Sequence, residues 1–320
     1  MKQILHLDKA FLEQNKIVDY AYLQQLEPKS YDKFLNWIDK GNHGSLSYLS
    51  DHRKDLRKSL KTIFPECQSV IVFLFDYRSA KKEQLKQGPK YKVASYVSGF
   101  EDQDYHFWIS ERLNLIGEKL KNSHNSIEFK ISLDIHPVLE RDYAVQAGLG
   151  WIGKNSMLIN RKFGSYTLIG SLLLNQKLET GEFNNMEVDH CGNCRKCIDA
   201  CPTQAILENE RTLIADKCIS TYTIETFKDK ETPMGFPVIS NEVFGCDICQ
   251  EVCPWNTKPL LQVSSQSSEW INFFNKDIGE LLEKIKSMSN KEYKNFFKRT
   301  SFERLGKKGL IKNLTKYSKD

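Results

Sequence analysis

The feature that most constrains this chain is the spacing of the cysteines between positions 191 and 254. One run has the pattern Cys-x2-Cys-x2-Cys-x3-Cys-Pro and contains Cys191, Cys194, Cys197, Cys201 and Pro202. A second run has the pattern Cys-x2-Cys-x3-Cys-Pro and contains Cys246, Cys249, Cys253 and Pro254. The second run lacks one leading cysteine, and Cys218 is the nearby candidate to supply it. Together the two runs and Cys218 provide eight thiols.

This spacing is typical of proteins that bind two four-iron clusters, in which the fourth cysteine of a run binds the other cluster. We therefore predict two 4Fe–4S clusters. The predicted ligands of the first are Cys191, Cys194, Cys197 and Cys253, and those of the second are Cys201, Cys218, Cys246 and Cys249. A pair of structural zinc sites is the alternative, because Cys-x2-Cys is also zinc spacing. A Cys-Pro after a three-residue gap, present twice, is unusual for zinc and favours the clusters.

The composition is that of an ordinary globular protein, with 40% hydrophobic and 27% charged residues among 320. No apolar run approaches the roughly 18 residues of a membrane span, and the first residues lack the apolar core of a signal peptide. Eight cysteines in cluster spacing, with Cys67 left over as a small buried residue, favour a reducing compartment. We expect a cytoplasmic protein that does not contact membranes.

Apolar periodicity divides the first 175 residues into helices and strands. We predict helices over 8–40, 105–120 and 139–147, buried strands over 69–75, 127–133 and 166–174, and a polar surface loop over 77–93. The predicted fold class is α+β, with an α/β-type sheet domain in front of a ferredoxin-like module and a short helical C-terminus. A simple two-cluster electron carrier needs no such sheet domain.

Two features of the sheet domain point to a binding site. Asp134 stands at the end of the strand over 127–133, and strand ends hold ligands in α/β folds; a helix-capping aspartate is the alternative. Gly148, Gly150 and Gly153 then bring the backbone close either to a ligand or to another segment of the chain.

Three segments together resemble the epoxyqueuosine reductase family: Asp134–Arg141 (DIHPVLER), Gly148–Asn155 (GLGWIGKN), and the cysteine pattern with Cys218–Glu225 (CISTYTIE). That family uses cobalamin and two 4Fe–4S clusters to remove the epoxide oxygen from epoxyqueuosine in tRNA, giving queuosine. The resemblance covers roughly residues 40–260. It implies a cobalamin-binding domain over 1–178, a ferredoxin-like domain over 179–260, and a basic helical segment over 261–320. It also implies a short form that lacks most of the family's C-terminal helical repeats.

The resemblance places Asp134 on the family's proton donor. The residues that fall where the family contacts cobalamin are Arg57, Val97, Asp134, Lys154, Asn155, Leu158, Ile169, Ser220 and Asp247. His136 departs from the family, which often has a small residue there, and it stands near enough to reshape the pocket or touch the substrate. Asp134 and His136 also begin like the Asp-x-His-x-x-Gly motif that supplies a lower histidine to cobalt, but Leu139 occupies the glycine position.

The chemistry favours a general acid, because an epoxide C–O bond breaks more readily when its oxygen is protonated. A carboxylic acid serves best when burial raises its pKa toward neutrality, and we expect this of Asp134. The expected partners are tRNA carrying epoxyqueuosine in the anticodon and an external electron donor, and we expect a monomer. The alternatives are a cobalamin-dependent reductive dehalogenase and a non-catalytic ferredoxin-like carrier.

Positive charge is concentrated at the end of the chain. Residues 255–320 hold fourteen Lys and Arg against seven Asp and Glu, a net charge of +7, so residues 1–254 sum to −2 for the total of +5. Basic residues on one face would neutralise tRNA phosphates and release counterions. We predict that Arg299, Arg304 and Lys308 contact tRNA; a solvated amphipathic helix is the alternative.

Overall fold

The computed structural model describes residues 7–123, 126–178, 186–225 and 241–317. The chain forms two compact units. The first consists of residues 1–43, 47–76 and 108–194, and the second of residues 44–46, 77–107 and 195–320. Across the described ranges, no helix is both long enough and apolar enough to cross a membrane.

Helices and strands are both abundant, which confirms the predicted mixed α and β content. The α-helices are α1 Lys9–Gln14, α2 Tyr31–Asp39, α3 Arg53–Leu56, α4 Arg78–Gln87, α5 Tyr105–Ser123, α6 Glu140–Gln146, α7 Lys196–Asp199, α8 Ile248–Glu251, α9 Pro254–Leu261, α10 Glu269–Phe274, α11 Ile278–Ser287, α12 Asn290–Phe296 and α13 Ser301–Thr315. The strands are β1 Ile17–Leu23, β2 Ser69–Asp76, β3 Lys92–Val93, β4 Phe129–Ser132, β5 Trp151–Ile152, β6 Leu158–Ile159, β7 Thr167–Leu174, β8 Ile206–Leu207, β9 Thr212–Leu213 and β10 Glu242–Phe244.

The first unit is built on a four-stranded sheet with the strand order β1-β2-β7-β4. All three pairings are antiparallel, and the long central pair runs from Ser69 opposite Leu174 to Asp76 opposite Thr167. The strands predicted over 69–75, 127–133 and 166–174 are therefore confirmed as β2, β4 and β7. An α/β-type sheet would have parallel strands, whereas neighbouring strands of this sheet run in opposite directions. The expectation of an α/β-type sheet is therefore wrong in strand direction.

Helices cover both faces of this sheet. Successive side chains of β2 point to opposite faces, and apolar residues occupy both sets of positions, so both faces have to be buried. Val70, Val72 and Leu74 pack with residues of α6 in one core cluster. On the other face, Phe75 meets Trp108 of α5 edge to face, with ring centroids 6.4 Å apart. The predicted helices over 105–120 and 139–147 are confirmed as α5 and α6.

The α5 helix approaches the sheet closely at two glycines. A Cβ atom on Gly117 would lie 2.3 Å from the Phe129 ring, and one on Gly170 would lie 3.0 Å from both Ile109 and Phe75. Helix α5 and the sheet can approach each other this closely because Gly117 and Gly170 have no side chain.

The helix predicted over 8–40 is wrong between Ile17 and Leu23, which form β1. Lys16 has a positive φ of 52° and turns the chain out of α1. The next seven residues are rich in β-branched and aromatic types, and they pair antiparallel with β2. The apolar residues of this segment also have helical spacing, but pairing with the buried strand β2 determines its structure.

The surface loop predicted over 77–93 is also wrong, because residues 78–87 form α4. Five of its residues are buried, and four of them are polar or charged: Arg78, Ala80, Lys81, Glu83 and Gln84. Polar composition normally indicates exposure, but these side chains have partners inside the second unit. Arg78 donates to the Pro259 carbonyl, and Lys81 pairs with Asp247 and Glu251. These partners are distant in sequence, so the sequence pattern does not reveal them.

The second unit contains a core of aromatic and aliphatic side chains around the parallel pair of β3 and β10. Trp270 of α10 packs against Phe297 and Phe302, with centroids 5.3 and 5.5 Å away. Leu305 and Leu310 of α13 are buried in the same core. Phe296 remains 41% exposed although its ring contacts this cluster. A non-helical Gly306 (φ 75°) kinks α13.

Candidate functional site

The predicted cluster ligands all lie in the described part of the chain, and none of the nine cysteines forms a disulfide. Cys191 and Cys194 are at the end of the first unit, and the other six predicted ligands belong to the second. Cys197 lies on α7 and Cys249 on α8, and these two short helices are in contact. Cys253 precedes Pro254, which is the first residue of α9 and has the fixed φ that suits a helix start. Within the described ranges, no three Cys, His, Asp or Glu side chains converge as the ligands of a single metal ion do.

The four thiols predicted for the second cluster influence one another. Burial raises the pKa of Cys249, and the neighbouring Cys218, Asp247, Cys197 and Cys201 raise it further. Burial likewise raises the pKa of Cys246, with added effects from Glu242, Cys249 and Cys218. The structure therefore brings Cys201, Cys218, Cys246 and Cys249 into one neighbourhood, which also includes Cys197 of the other predicted set.

Several sulfur atoms in this neighbourhood accept hydrogen bonds. The Cys201 sulfur accepts the Ala205 N–H at 3.3 Å. The Cys218 sulfur accepts bonds from the N–H and the hydroxyl of Ser220, and these oppose the rise in its pKa that burial causes. Hydrogen bonds to the sulfurs are one of the means by which proteins tune iron–sulfur clusters. The donor set therefore fits iron–sulfur ligation, and Ser220 acts on the sulfur of a predicted ligand.

Asp134 lies on an exposed turn directly after β4. The expected burial of its carboxyl group is wrong, because Asp134 is exposed after β4, a strand at the edge of the sheet. The strand-end argument also fails, because it applies to parallel sheets. The location of Asp134 after the strand over 127–133 is confirmed.

His136 lies two residues after Asp134, and the charge of Asp134 acts on it. Its Nδ1 accepts the Leu133 N–H at 3.3 Å, so the ring proton of the neutral form is on Nε2. Burial lowers the pKa of His136 and outweighs the opposing charge of Asp134, so the net shift is downward. His136 is thus held neutral, with its ring fixed by the backbone of the same turn.

The glycine-rich segment 148–153 approaches another part of the chain. A Cβ atom on Gly150 would lie 2.2 Å from the Ile159 carbonyl oxygen, and one on Gly153 would lie 2.5 Å from the Ile159 side chain. The close approach left open by the sequence is therefore explained by the hairpin of β5 and β6. Lys154 and Asn155 form its turn, where the Asn155 Oδ1 accepts the Met157 N–H at 3.3 Å.

Arg57 is a buried arginine with few partners. It is 8% exposed, its guanidinium lies 5.6 Å from the centre of the Phe34 ring, and its Nη1 donates to the Arg53 carbonyl at 2.9 Å. Among the residues that the structure describes, no carboxylate forms an ion pair with it. A buried guanidinium with unused donors fits a ligand rich in amide and phosphate oxygens, such as cobalamin.

Of the other residues predicted to contact cobalamin, Val97, Asn155, Leu158, Ile169 and Asp247 are buried, whereas Lys154 and Ser220 are partly exposed. Leu158 and Ile169 belong to one core cluster in the first unit. In the second unit, the Asp247 carboxylate accepts the N–H and the hydroxyl of Ser95, at 2.9 and 2.5 Å. Ser95 begins the 3-10 turn that contains Val97. The structure therefore brings Asp247 and Val97 to one turn, although the sequence separates them widely.

The three tail residues predicted to contact tRNA are all exposed. The Arg299 guanidinium lies 4.8 Å from the centre of the Phe107 ring, which is itself 47% exposed. Two other basic residues are used internally: Lys307 donates to the Lys286 carbonyl at 2.9 Å, and Lys312 to the Tyr222 carbonyl at 2.7 Å. The net charge of the tail therefore overstates the charge available to a ligand.

Comparison with known proteins gives a consistent result. A family model described as epoxyqueuosine reductase QueG, DUF1730, matches residues 57–134, and a 4Fe-4S double cluster binding domain matches residues 190–256. The chain is 33% identical over 307 residues to an epoxyqueuosine reductase of Cyclobacterium marinum, covering 93% of this chain and 90% of that relative.

Solved structures extend the likeness. An epoxyqueuosine reductase from Bacillus subtilis, described with its Asp134 catalytic loop swung out of the active site, is 26% identical with a TM-score of 0.76, covering 96% of this chain and 78% of that one. An epoxyqueuosine reductase with an epoxyqueuosine-modified tRNA-Tyr stem loop is 24% identical with a TM-score of 0.75 over the same shares, which shows the fold.

Proposed function

The chain belongs to the epoxyqueuosine reductase family, and we propose how its residues carry out that reaction. Membership is shown by 33% identity to a relative of which the chain covers 90%. The protein is accordingly an oxidoreductase that reduces epoxyqueuosine to queuosine. The alignment of the chain with the double-cluster domain over residues 190–256 is the observation that carries the redox part of the proposal.

We propose that the two clusters have the ligands derived from the spacing. Cys191, Cys194, Cys197 and Cys253 would hold one, and Cys201, Cys218, Cys246 and Cys249 the other. The proximity of Cys201, Cys218, Cys246 and Cys249 supports binding of a cluster there, and the division of the eight cysteines between the two clusters rests on the spacing. The N–H donors to Cys201 and Cys218 would stabilise the thiolate form that binds iron.

Arg57, Leu158 and Ile169 of the first unit, and Val97, Ser220 and Asp247 of the second, are proposed contacts of cobalamin. Cobalamin, when bound, supplies to the epoxide carbon the electrons that the clusters deliver one at a time. Arg57 would donate its unused N–H groups to the polar periphery of the cofactor. Lys154 and Asn155 are proposed contacts through the hairpin turn, while Leu158 and Ile169 offer apolar surface.

Asp134 is proposed to donate the proton to the epoxide oxygen. Its carboxyl group is on an exposed turn, which leaves it accessible to a substrate. The Bacillus subtilis relative is described with a catalytic loop that swings out of its active site, and the exposed turn here is consistent with the open position of such a loop. His136, neutral and fixed by Leu133, would orient this turn without competing as a cation.

The substrate is proposed to be tRNA with epoxyqueuosine in its anticodon, held by Arg299, Arg304 and Lys308 while the modified base is turned into the pocket. The pairing of Arg299 with the exposed Phe107 supports this, because single-stranded bases stack on aromatic and guanidinium planes. We further propose that the protein acts as a monomer with an external electron donor.

The direct test combines reconstituted protein, cobalamin, a chemical reductant and tRNA containing epoxyqueuosine. We expect queuosine to form, and no product from a halogenated phenol added in parallel. Turnover of the halogenated substrate alone would favour a reductive dehalogenase. A visible spectrum without a cobalamin contribution after reconstitution and desalting would favour a simple electron carrier.

A further inference from the structure

Lys81 of α4 is a lysine whose side chain has no exposed surface. An ammonium group inside a protein is costly unless opposite charges and hydrogen bonds compensate it. The sequence predicted a surface loop here, and Lys81 is not among the residues proposed above to bind cobalamin or a cluster.

The compensation comes from two carboxylates. The Lys81 Nζ lies 2.5 Å from the Glu251 Oε1 and 3.4 Å from the Asp247 Oδ2, and it donates to the Gln84 Oε1 at 2.7 Å. Burial lowers the pKa of Lys81, Asp247 and Glu251 raise it, and the net shift is upward, so Lys81 remains charged. Lys92 lies 3.5 Å from the other oxygen of Glu251. The third buried carboxyl group nearby, Glu242, is neutral below pH 8 because burial raises its pKa to about 8. Two cations thus face two charged carboxylates at neutral pH, and the local charge sums to zero.

These carboxylates flank predicted cluster ligands. Asp247 follows Cys246 directly, and Glu251 ends α8, which contains Cys249. A negative charge left uncompensated on either carboxylate would therefore lie beside a cluster ligand and oppose the addition of an electron to the cluster.

We propose that Lys81 sets the reduction potential of the cluster on Cys201, Cys218, Cys246 and Cys249 by cancelling the charges of Asp247 and Glu251. This inference rests on the cluster assignment proposed above. Reduction adds one electron to the cluster, and the potential depends on the net charge around it and on exposure to solvent. Because the pair is buried, water and salt screen it weakly. Lys81 is a positioning residue, since it acts through the two carboxylates.

The test is a redox titration of the holoenzyme followed by electron paramagnetic resonance. Loss of the signal in Cys218→Ala identifies which of the two signals belongs to this cluster. Lys81→Met keeps the length and removes the charge, Lys81→Arg keeps the charge, and Lys81→Met with Glu251→Gln restores the sum of charges to zero. Lys86→Met is the matched control, because it removes an exposed lysine from the same helix.

We expect Lys81→Met to move the potential of this cluster to more negative values, so that at the wild-type midpoint most of it stays oxidised. Lys81→Arg, the double variant and Lys86→Met should titrate near the wild type, and the other cluster should move less. An unchanged potential in Lys81→Met, or a double variant as shifted as the single one, would overturn the proposal.

If Lys81→Met loses this cluster, its potential cannot be measured, and the iron content of the variants tests the proposal instead. The double variant should then keep the wild-type iron content, whereas loss of iron from the double variant as well would mean that Lys81 serves packing alone. Wild-type protein with iron for one cluster only would instead refute the two-cluster assignment on which the inference rests.

Discussion

The Asp216 carboxylate accepts both the N–H and the hydroxyl of Ser45, at 2.8 and 2.6 Å. Asp216 precedes the predicted ligand Cys218 by two residues. Gly44 adjoins this contact with φ +52°, and a Cβ atom there would lie 2.3 Å from the Asp216 Cγ. The 44–46 segment therefore holds in place the stretch that presents Cys218.

Gly44→Ala should displace Asp216 and cost the cluster that Cys218 binds, so that about half of the iron is lost, as in Cys218→Ala. Gly41→Ala is the matched control, since Gly41 also has a positive φ (+70°) but has no atom within 4 Å of the added Cβ. Bound iron per chain is the measurement. Equal iron loss in the two glycine variants would attribute the effect to backbone strain, and full iron in Gly44→Ala would show that the contact is dispensable.

Glu242 gives a pH dependence of stability. Burial, with a contribution from Asp247, raises its pKa from 4.5 to about 8. The folded state therefore binds a proton that the unfolded state releases, and stability falls as the pH rises from about 4.5 to 8. Glu242→Gln removes this titration, so its melting temperature should decline less than that of the wild type over this range. Each kcal/mol lost corresponds to roughly 2–4 °C. Parallel pH profiles for the two proteins would show that Glu242 ionises normally.

The tail prediction concerns salt dependence. Charge reversal at Arg299, Arg304 and Lys308 should weaken tRNA binding and lower the slope of log affinity against log salt by about 3, one for each phosphate contact. Cobalamin binding should remain. Reversal at the exposed Lys9, Lys40 and Lys61 is the control with equal charge change. If both triple variants weaken binding equally, the effect is one of net charge and not of the tail.

Asp134→Asn keeps the size of the side chain and removes the acid. Turnover should fall by roughly 10²–10⁴, the usual contribution of general acid catalysis. Iron content and the cobalamin spectrum should match the wild type. This result would show that the variant lacks the proton donor but still binds its cofactors. Near-normal turnover would mean that water or His136 supplies the proton.

The parts of the structure that local sequence encodes were predictable. The spacing of the cysteines is enough to predict two clusters, and the apolar run of β2 is enough to predict a buried strand. Contacts between distant segments were not predictable. The burial of Lys81 depends on Asp247 and Glu251, and the glycines at 150 and 153 needed Ile159 to explain them. The exposure of Asp134 depends on which strand ends at the sheet edge, which apolar periodicity does not determine.

The most direct test is nucleoside analysis of tRNA from cells that lack this protein, with the wild type or Asp134→Asn returned on a plasmid. We expect epoxyqueuosine in place of queuosine in the deletion strain, queuosine restored by the wild type, and epoxyqueuosine retained with Asp134→Asn. Normal queuosine in the deletion strain, in cells without a second such enzyme, would contradict the assigned reaction.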